Sequence, residues 1–224
     1  MHLALFDLDL TLLPIDTADT WSRHVVRRGG LERAEYEARI RAFEQSYHAG
    51  EFDCEAYVRF QMELLARFPR ASLDAWHAEF MEQRVRPHVR REARALVERH
   101  RQLGHEAALV TGTNAYVVTP IAREFGIEHV LAVEPEEADG EFTGAWVGTH
   151  TCQAGKVRKV EEWLEQRGLA WSGVHTVFYS DSINDLPLLE RVSEPVVTNG
   201  DARLNAVARE RGWPTVQLFE RAAE

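Results

Sequence analysis

Lysine is almost missing from this chain: of 26 basic residues only Lys156 and Lys159 are lysines, and the rest are arginines. A lysine kept against that background suggests a tight site that needs a compact ammonium, which the broad arginine fork cannot replace. Cysteine is equally scarce. Cys54 and Cys152 stand far apart and outside any metal-ligand spacing, which excludes a disulfide framework; two reduced thiols are expected. There is no surplus of positive charge. The net charge is -10 with both signs interspersed, so no nucleic-acid partner is expected. The histidines are scattered without ligand spacing. No apolar run approaches the roughly 20 residues that span a bilayer, and the apolar start reaches Asp7 too soon for a signal peptide. A soluble, cytoplasmic protein without membrane contact is the expectation.

What is present is an ordinary globular composition, 45% hydrophobic and 28% charged over 224 residues, long enough to bury a full core. The run His2–Phe6 reads as a buried strand ending at Asp7. From Pro14 to about Arg86 strand signals vanish. Tyr36, Ile40, Phe43 and Tyr47 recur at helical spacing, then Val58, Met62 and Leu65, then Leu73, Trp76 and Phe80 behind a cap expected at Ser72. Gly29-Gly30, Gly50 and Phe68-Pro69 break the helices apart.

Past Pro87 strand and helix alternate. Strands are expected at 106–110, 129–133, 176–179 and 195–198, helices at 89–104, 114–125, 154–167 and after Asn184, and a hairpin around Asp139-Gly140. The fold class is therefore α/β: a Rossmann-like parallel sheet core, residues 1–13 and 87–224, with an all-helical cap inserted as residues 14–86. Ligands of open α/β sheets bind at the carboxyl ends of the strands, so the insertion would sit over the site as a lid.

Those strand ends carry the chemistry. The first runs into Asp7-Leu8-Asp9-Leu10-Thr11, the second into Thr111-Gly112, and the fourth into Asp181-Ser182-Ile183-Asn184-Asp185, while a helix opens at Gly155-Lys156. Clustered carboxylates repel one another unless a cation neutralises them, and an oxygen-only donor set suits Mg²⁺. An aspartate beside a metal-polarised phosphate can attack in line; Asp7 would be that nucleophile, giving an aspartyl-phosphate. Asp9 could protonate the leaving alkoxide and later activate water. The Thr111 hydroxyl and the Gly112 N–H, just before a helix, would cradle the phosphoryl group, with Asn114 the better-placed helix cap. Lys156 would hold phosphate oxygens and balance Asp7, while Lys159 faces solvent or supports it.

The ordered set, Asp7-x-Asp9-x-Thr11, a strand ending in Thr111, then Lys156, then Asp181-x-x-x-Asp185, resembles the haloacid-dehalogenase-like phosphatases over residues 1–13 and about 87–219. The resemblance implies Mg²⁺ held by the Asp7 carboxylate, the Asp9 carbonyl and Asp181. Asp185 would act mostly through a water on the ion, and Asn184 through the loop's hydrogen bonds, close enough to touch substrate. The helical insertion and the stretches 179–189 and 196–201 look like the phosphoserine-phosphatase-like branch. That branch reads the substrate amine with an acidic residue shortly after the nucleophile loop, where this chain has Asp16. Its cap arginine for a substrate carboxylate has no secure match, Arg59 being a candidate by position alone, and Ser180 stands where glycine is usual. These departures put phosphoserine itself in question and leave a small amine-bearing substrate, histidinol phosphate or a phosphoserine-like compound; histidinol-phosphate phosphatases belong to the same subgroup, and Asp16 with an aromatic such as Trp21 would suit their carboxylate-free substrate. Asp16 also fits an N-cap of the first insertion helix, and core packing and a solvated face are the favoured expectations for Trp21 and Arg59.

The expected function is Mg²⁺-dependent hydrolysis of a small phosphorylated metabolite. The alternatives are phosphoryl transfer between acceptors, as in mutases of the same chemistry, and a non-catalytic phosphometabolite-binding protein. The helical cap favours hydrolysis over transfer, and the complete set of Asp7, Asp9, Thr111, Lys156 and Asp181 favours an enzyme.

Overall fold

His2–Phe6 (β1) forms the middle strand of the fold, and every residue after His2 is buried. In the computed structural model, which describes residues 1–220, β1 pairs in parallel with β2 (Glu106–Asn114) on one side and β5 (His175–Ser180) on the other. Burial on both faces is why this strand reads as an unbroken apolar run. The sheet extends through β3 (His129–Ala138) and β4 (Glu141–Val147) beyond β2, and through β6 (Glu194–Thr198) and β7 (Thr215–Val216) beyond β5. Its order is β4-β3-β2-β1-β5-β6-β7, and β4 alone among the described strands runs antiparallel. Asp139 and Gly140 both take left-handed φ, 53° and 82°, the geometry of a tight two-residue hairpin turn.

Two strand ends differ from the sequence reading. β2 runs on through Thr111-Gly112-Thr113 to Asn114, which pairs with Val133 after an irregularity in register. The polar residues beyond the expected end at 110 are thus still strand, the last before the site. β3 continues to Ala138 because β4 gives it a partner.

Successive residues of β1 point to opposite layers. Leu3 and Leu5 join the apolar cluster under α7 (Ala154–Gln166), α8 (Leu186–Leu189) and α9 (Ala202–Arg211), while Ala4 and Phe6 join the larger cluster under α5 (Arg91–Gln102) and α6 (Ala115–Glu124). Between β1 and α5 stand α1 (Thr17–Arg28), α2 (Arg33–Ala49), α3 (Cys54–Leu65) and α4 (Arg70–Phe80), whose apolar faces belong to that same larger cluster. Asp16 caps α1 by accepting from the Asp19 N–H (2.8 Å), and Asp53 caps α3 through the Ala56 N–H (3.0 Å). The cap expected at Ser72 is a correction. α4 starts directly after Pro69, whose extended ψ of 141° ends the incoming chain, and Ser72 lies inside the first turn. No helix among the described residues is long and apolar enough to cross a membrane.

Trp21 joins the insertion to the sheet layer. Its ring lies 5.3 Å from His77 and from Phe80 on α4 and 6.0 Å from Tyr116 on α6, fully packed away from solvent.

Candidate active site

The loop after β1 is wound tightly. The Leu8 carbonyl accepts from the N–H groups of Thr11, Leu12 and Leu13, and Leu10 is forced to φ 59°, a conformation that costs free energy for a leucine. The Asn199 amide holds the turn by donating to the Leu10 and Thr11 carbonyls, 3.1 Å each. Asp7 and Asp9 are thereby aimed from the carboxyl end of β1. The Thr11 hydroxyl lies between two carboxylates, 3.2 Å from Asp7 Oδ2 and 3.0 Å from Asp181 Oδ1, and accepts from the Asp181 N–H.

Lys156 reaches this cluster from the first turn of α7. That turn sits so close to His150 that a Cβ on Gly155 would fall 2.2 Å from the His150 carbonyl oxygen, so only glycine fits. The Lys156 ammonium donates to Asp7 Oδ1 at 2.8 Å and to Asp185 Oδ2 at 2.7 Å. Ser180, the departure noted in the sequence, donates to the same Asp185 oxygen at 2.7 Å and so fixes the lysine's second anchor. Asp9 is held on both oxygens, by the Thr17 N–H at the start of α1 (2.7 Å) and by the Thr113 hydroxyl (2.8 Å). The Thr111 hydroxyl accepts from the Thr113 N–H, and its carbonyl accepts from Thr151 (2.5 Å).

These groups open onto one cavity of about 700 Å³. Asp7, Asp9, Thr111, Gly112, Lys156, Asp181, Asn184 and Asp185 all line it, and so does Asp16, which caps α1 at the same time. Trp21 and Arg59 do not. The first is core, and the second pairs with Glu55 (2.8 Å) and lies over the Trp146 ring. Lys159 is also outside the cavity wall.

The sequence reading passed over several lining residues. Asp19, Glu44, Tyr47 and Tyr57 face the cavity from α1, α2 and α3; Tyr57 donates to Asp19 Oδ1 at 3.1 Å, and Tyr47 hydrogen-bonds the Ser182 hydroxyl across the insertion–sheet junction. Helical spacing marked Tyr47 as a packing position, and nothing in a single sequence turns it toward a cavity. Arg203 on α9 lines the rim.

Buried carboxylates dominate the electrostatics. Burial raises Asp7 to about 7, with Lys156 pulling back and Asp185 and Asp9 pushing further. Burial and the neighbouring Asp16 charge lift Asp9 to about 7 against the hydrogen bonds from Thr17 and Thr113. Asp16 rises to about 8 through burial and then Asp19, and Asp19 to about 7 through burial and its contact with Glu44. Burial alone would depress Lys156, but Asp185 and Asp7 override it and hold the ammonium well above the usual lysine range.

Asp16 therefore keeps in the folded state a proton that the unfolded chain releases above 3.8. The stability contributed by that proton is complete below pH 3.8 and is lost as pH rises through about 8. Asn cannot ionise and still caps a helix. In urea unfolding in EDTA, Asp16→Asn is expected to gain stability over the parent steadily between pH 4 and 8; a pH-independent difference would contradict a buried, proton-holding Asp16. The comparison with the parent cancels the opposite trend of His24 and His100, whose buried rings are lowered to about 4.

Asp7 and Asp181, bridged by Thr11, are a pair of carboxylates that could hold a hard cation. Among the described residues no three His, Cys, Asp or Glu side chains form a cage by themselves. Mg²⁺ takes one or two carboxylates and fills its shell with water and phosphate oxygens, a demand that the Asp7 and Asp181 carboxylates could meet.

Residues 4–190 match the family model of the haloacid dehalogenase-like hydrolases. A histidinol-phosphatase from Neisseria meningitidis serogroup C is 38% identical over 219 residues, spanning 97% of this chain and 99% of the relative. The crystal structure of a protein of unknown function from Bordetella pertussis Tohama I superposes with a TM-score of 0.92 at 42% identity, covering 97% of this chain and 99% of that one. A substrate-bound phosphoserine phosphatase shares the fold at a TM-score of 0.66 and 19% identity, over 98% of this chain and 93% of that one. The chain belongs to the haloacid dehalogenase-like hydrolases. Within them it is a phosphatase, and phosphatases of this family generally use Mg²⁺.

Proposed function

We propose that the chain is a Mg²⁺-dependent phosphomonoesterase working through an aspartyl-phosphate on Asp7, with residues 14–86 as its cap and histidinol phosphate, or a close amine-bearing analogue without a carboxylate, as substrate. The observation that supports the substrate most strongly is the part of the cavity lining that the helical insertion contributes. It presents Asp16, Asp19 and Glu44 beside Phe43, Phe52 and Tyr57, a surface for a cationic, ring-bearing group. The histidinol-phosphatase likeness points the same way.

When bound, Mg²⁺ on Asp7, Asp181 and the Asp9 carbonyl would neutralise carboxylate repulsion and polarise the phosphate. Lys156 holds Asp7 in place and keeps the second positive charge of the site next to it, where phosphoryl oxygens arrive. The Thr111 hydroxyl and Gly112 N–H supply neutral donors at the end of β2. Asp7 attacks phosphorus as the ester oxygen leaves. Asp9, raised to about 7, retains a proton near neutrality to give to that oxygen, and as a carboxylate then takes one from the water that cleaves the acyl phosphate. Tyr47 bonded to Ser182 closes the cap side over the site and limits the entry of bulk water.

Arg203, the one arginine lining the cavity among the described residues, favours a second reading, in which it receives the carboxylate of phosphoserine. A panel of histidinol phosphate, phosphoserine and glycerol phosphate, assayed with Mg²⁺ and in EDTA, separates the two. Histidinol phosphate is expected to be preferred, with no turnover in EDTA. Asp16→Asn should then lower its kcat/KM by about 10- to 100-fold, because the arriving ammonium takes the place of the Asp16 proton and makes a charged hydrogen bond that an amide cannot, and leave glycerol phosphate nearly unchanged. Equal losses on both substrates would remove Asp16 from recognition. A preference for phosphoserine that disappears in Arg203→Ala would establish the second reading.

A further inference from the structure

The chemistry above uses neither cysteine, yet the fold brings the chain's only two together. Cys54 is the first residue of α3, on the insertion, and Cys152 lies in the loop between β4 and α7, on the sheet side. Both face the active-site cavity, both pack in the same apolar cluster, both are free, and their thiols interact with each other. Gln153 beside Cys152 is held at φ 47°, which an L residue avoids, so surrounding contacts rather than local preference fix that thiol in place.

The two sulfurs are not equivalent. Cys54 is partly exposed at a helix N-terminus, where the helix dipole favours a thiolate, and its contact with Cys152 lowers its pKa. Cys152 is buried, and the same contact and its burial raise it. One is suited to react with an incoming oxidant, the other to resolve the product.

We propose that Cys54 and Cys152 form a redox-modification site: a hydroperoxide oxidises Cys54, and Cys152 closes a disulfide that fastens the helical insertion to the loop leading into the helix that carries Lys156. In the first step the Cys54 thiolate attacks the distal peroxide oxygen, an S–O bond forms as the O–O bond breaks, and the alcohol or water leaves. In the second, Cys152 attacks the Cys54 sulfur, the S–S bond forms, and the hydroxyl leaves with the Cys152 proton as water. A dithiol returns both electrons. The consequence is local to the site. Thr151, next to Cys152, is bonded to the Thr111 carbonyl, and Lys156 follows one turn later, so the bond pins the insertion across the cavity mouth and hinders entry and release. This inference rests on the position of the thiols, not on the identity of the substrate.

The test treats the full chain with hydrogen peroxide, removes the excess, and reads free thiols with Ellman's reagent, p-nitrophenyl phosphate hydrolysis in Mg²⁺, and a non-reducing peptide map. Both thiols should disappear together, the map should show Cys54 joined to Cys152 within one chain, and activity should fall by at least about tenfold and return with dithiothreitol. Cys54→Ser should keep its activity through the same treatment. Full activity with the disulfide formed, thiol loss without this disulfide, or equal inactivation of Cys54→Ser would each overturn the proposal. The map on the parent chain decides the linkage even if a variant folds poorly.

Discussion

Replacing Asp7 by Asn is expected to lower kcat for p-nitrophenyl phosphate by about 10⁴-fold or more in saturating Mg²⁺, the scale of losing a covalent nucleophile. An amide of nearly the same shape cannot attack phosphorus, and no other carboxylate stands in its place. Asp9 is tied to Thr17 and Thr113, and Asp185 to Lys156 and Ser180. The fold should survive the change. Lys156 retains Asp185, and a buried carboxyl already raised to about 7 is removed, so thermal unfolding near pH 7 should shift little. Initial rates and melting curves on the same preparations check both halves. Substantial activity in the well-folded variant would rule out Asp7 as the nucleophile.

Lys156→Met should damage both rate and stability. It removes the ammonium that serves two buried carboxylates, at 2.8 and 2.7 Å, and loss of one partner from a buried ionic set costs about 3–5 kcal/mol. A further 10²- to 10³-fold fall in kcat, roughly, follows from losing a preorganised charge at the phosphoryl group. The stability deficit has a sign in pH. Without the lysine, nothing offsets the burial that already raises Asp7 to about 7, so this carboxyl stays buried only by taking up a proton, and the variant should be closer to the parent at pH 5 than at pH 8 in urea unfolding. Lys156→Arg should not rescue it, because a planar fork cannot set one compact charge between Asp7 Oδ1 and Asp185 Oδ2 as the ammonium does. A variant as stable as the parent at pH 8 would mean that the ion pairs contribute nothing to the fold.

Much of this centre is legible in the sequence because its parts are local. β1 is buried on both faces and therefore apolar throughout; Asp7 and Asp9 follow it directly, and Asp181 to Asp185 follow β5 in the same way. The scarcity of lysine singled out Lys156, and the structure places it on Asp7. What stayed hidden depends on tertiary packing. Asp19, Glu44 and Tyr57 sit on helices whose spacing reports only that one face is covered, not that part of it faces a cavity. Ser180 looked like a simple departure from glycine until its bond to Asp185 gave it a task. Trp21 follows the core packing favoured for it, its large indole taken up by the seam between α1, α4 and α6. The two cysteines, distant in the chain, carried no signal of their contact.

The stereochemical course at phosphorus tests attack by Asp7 most directly. A phosphorothioate monoester made chiral at phosphorus with oxygen-18, hydrolysed by the enzyme in Mg²⁺ and oxygen-17 water, should give inorganic thiophosphate with retained configuration. Two successive in-line displacements, first by Asp7 and then by water, require that outcome. Inversion would show a single direct attack by water and would contradict an aspartyl-phosphate.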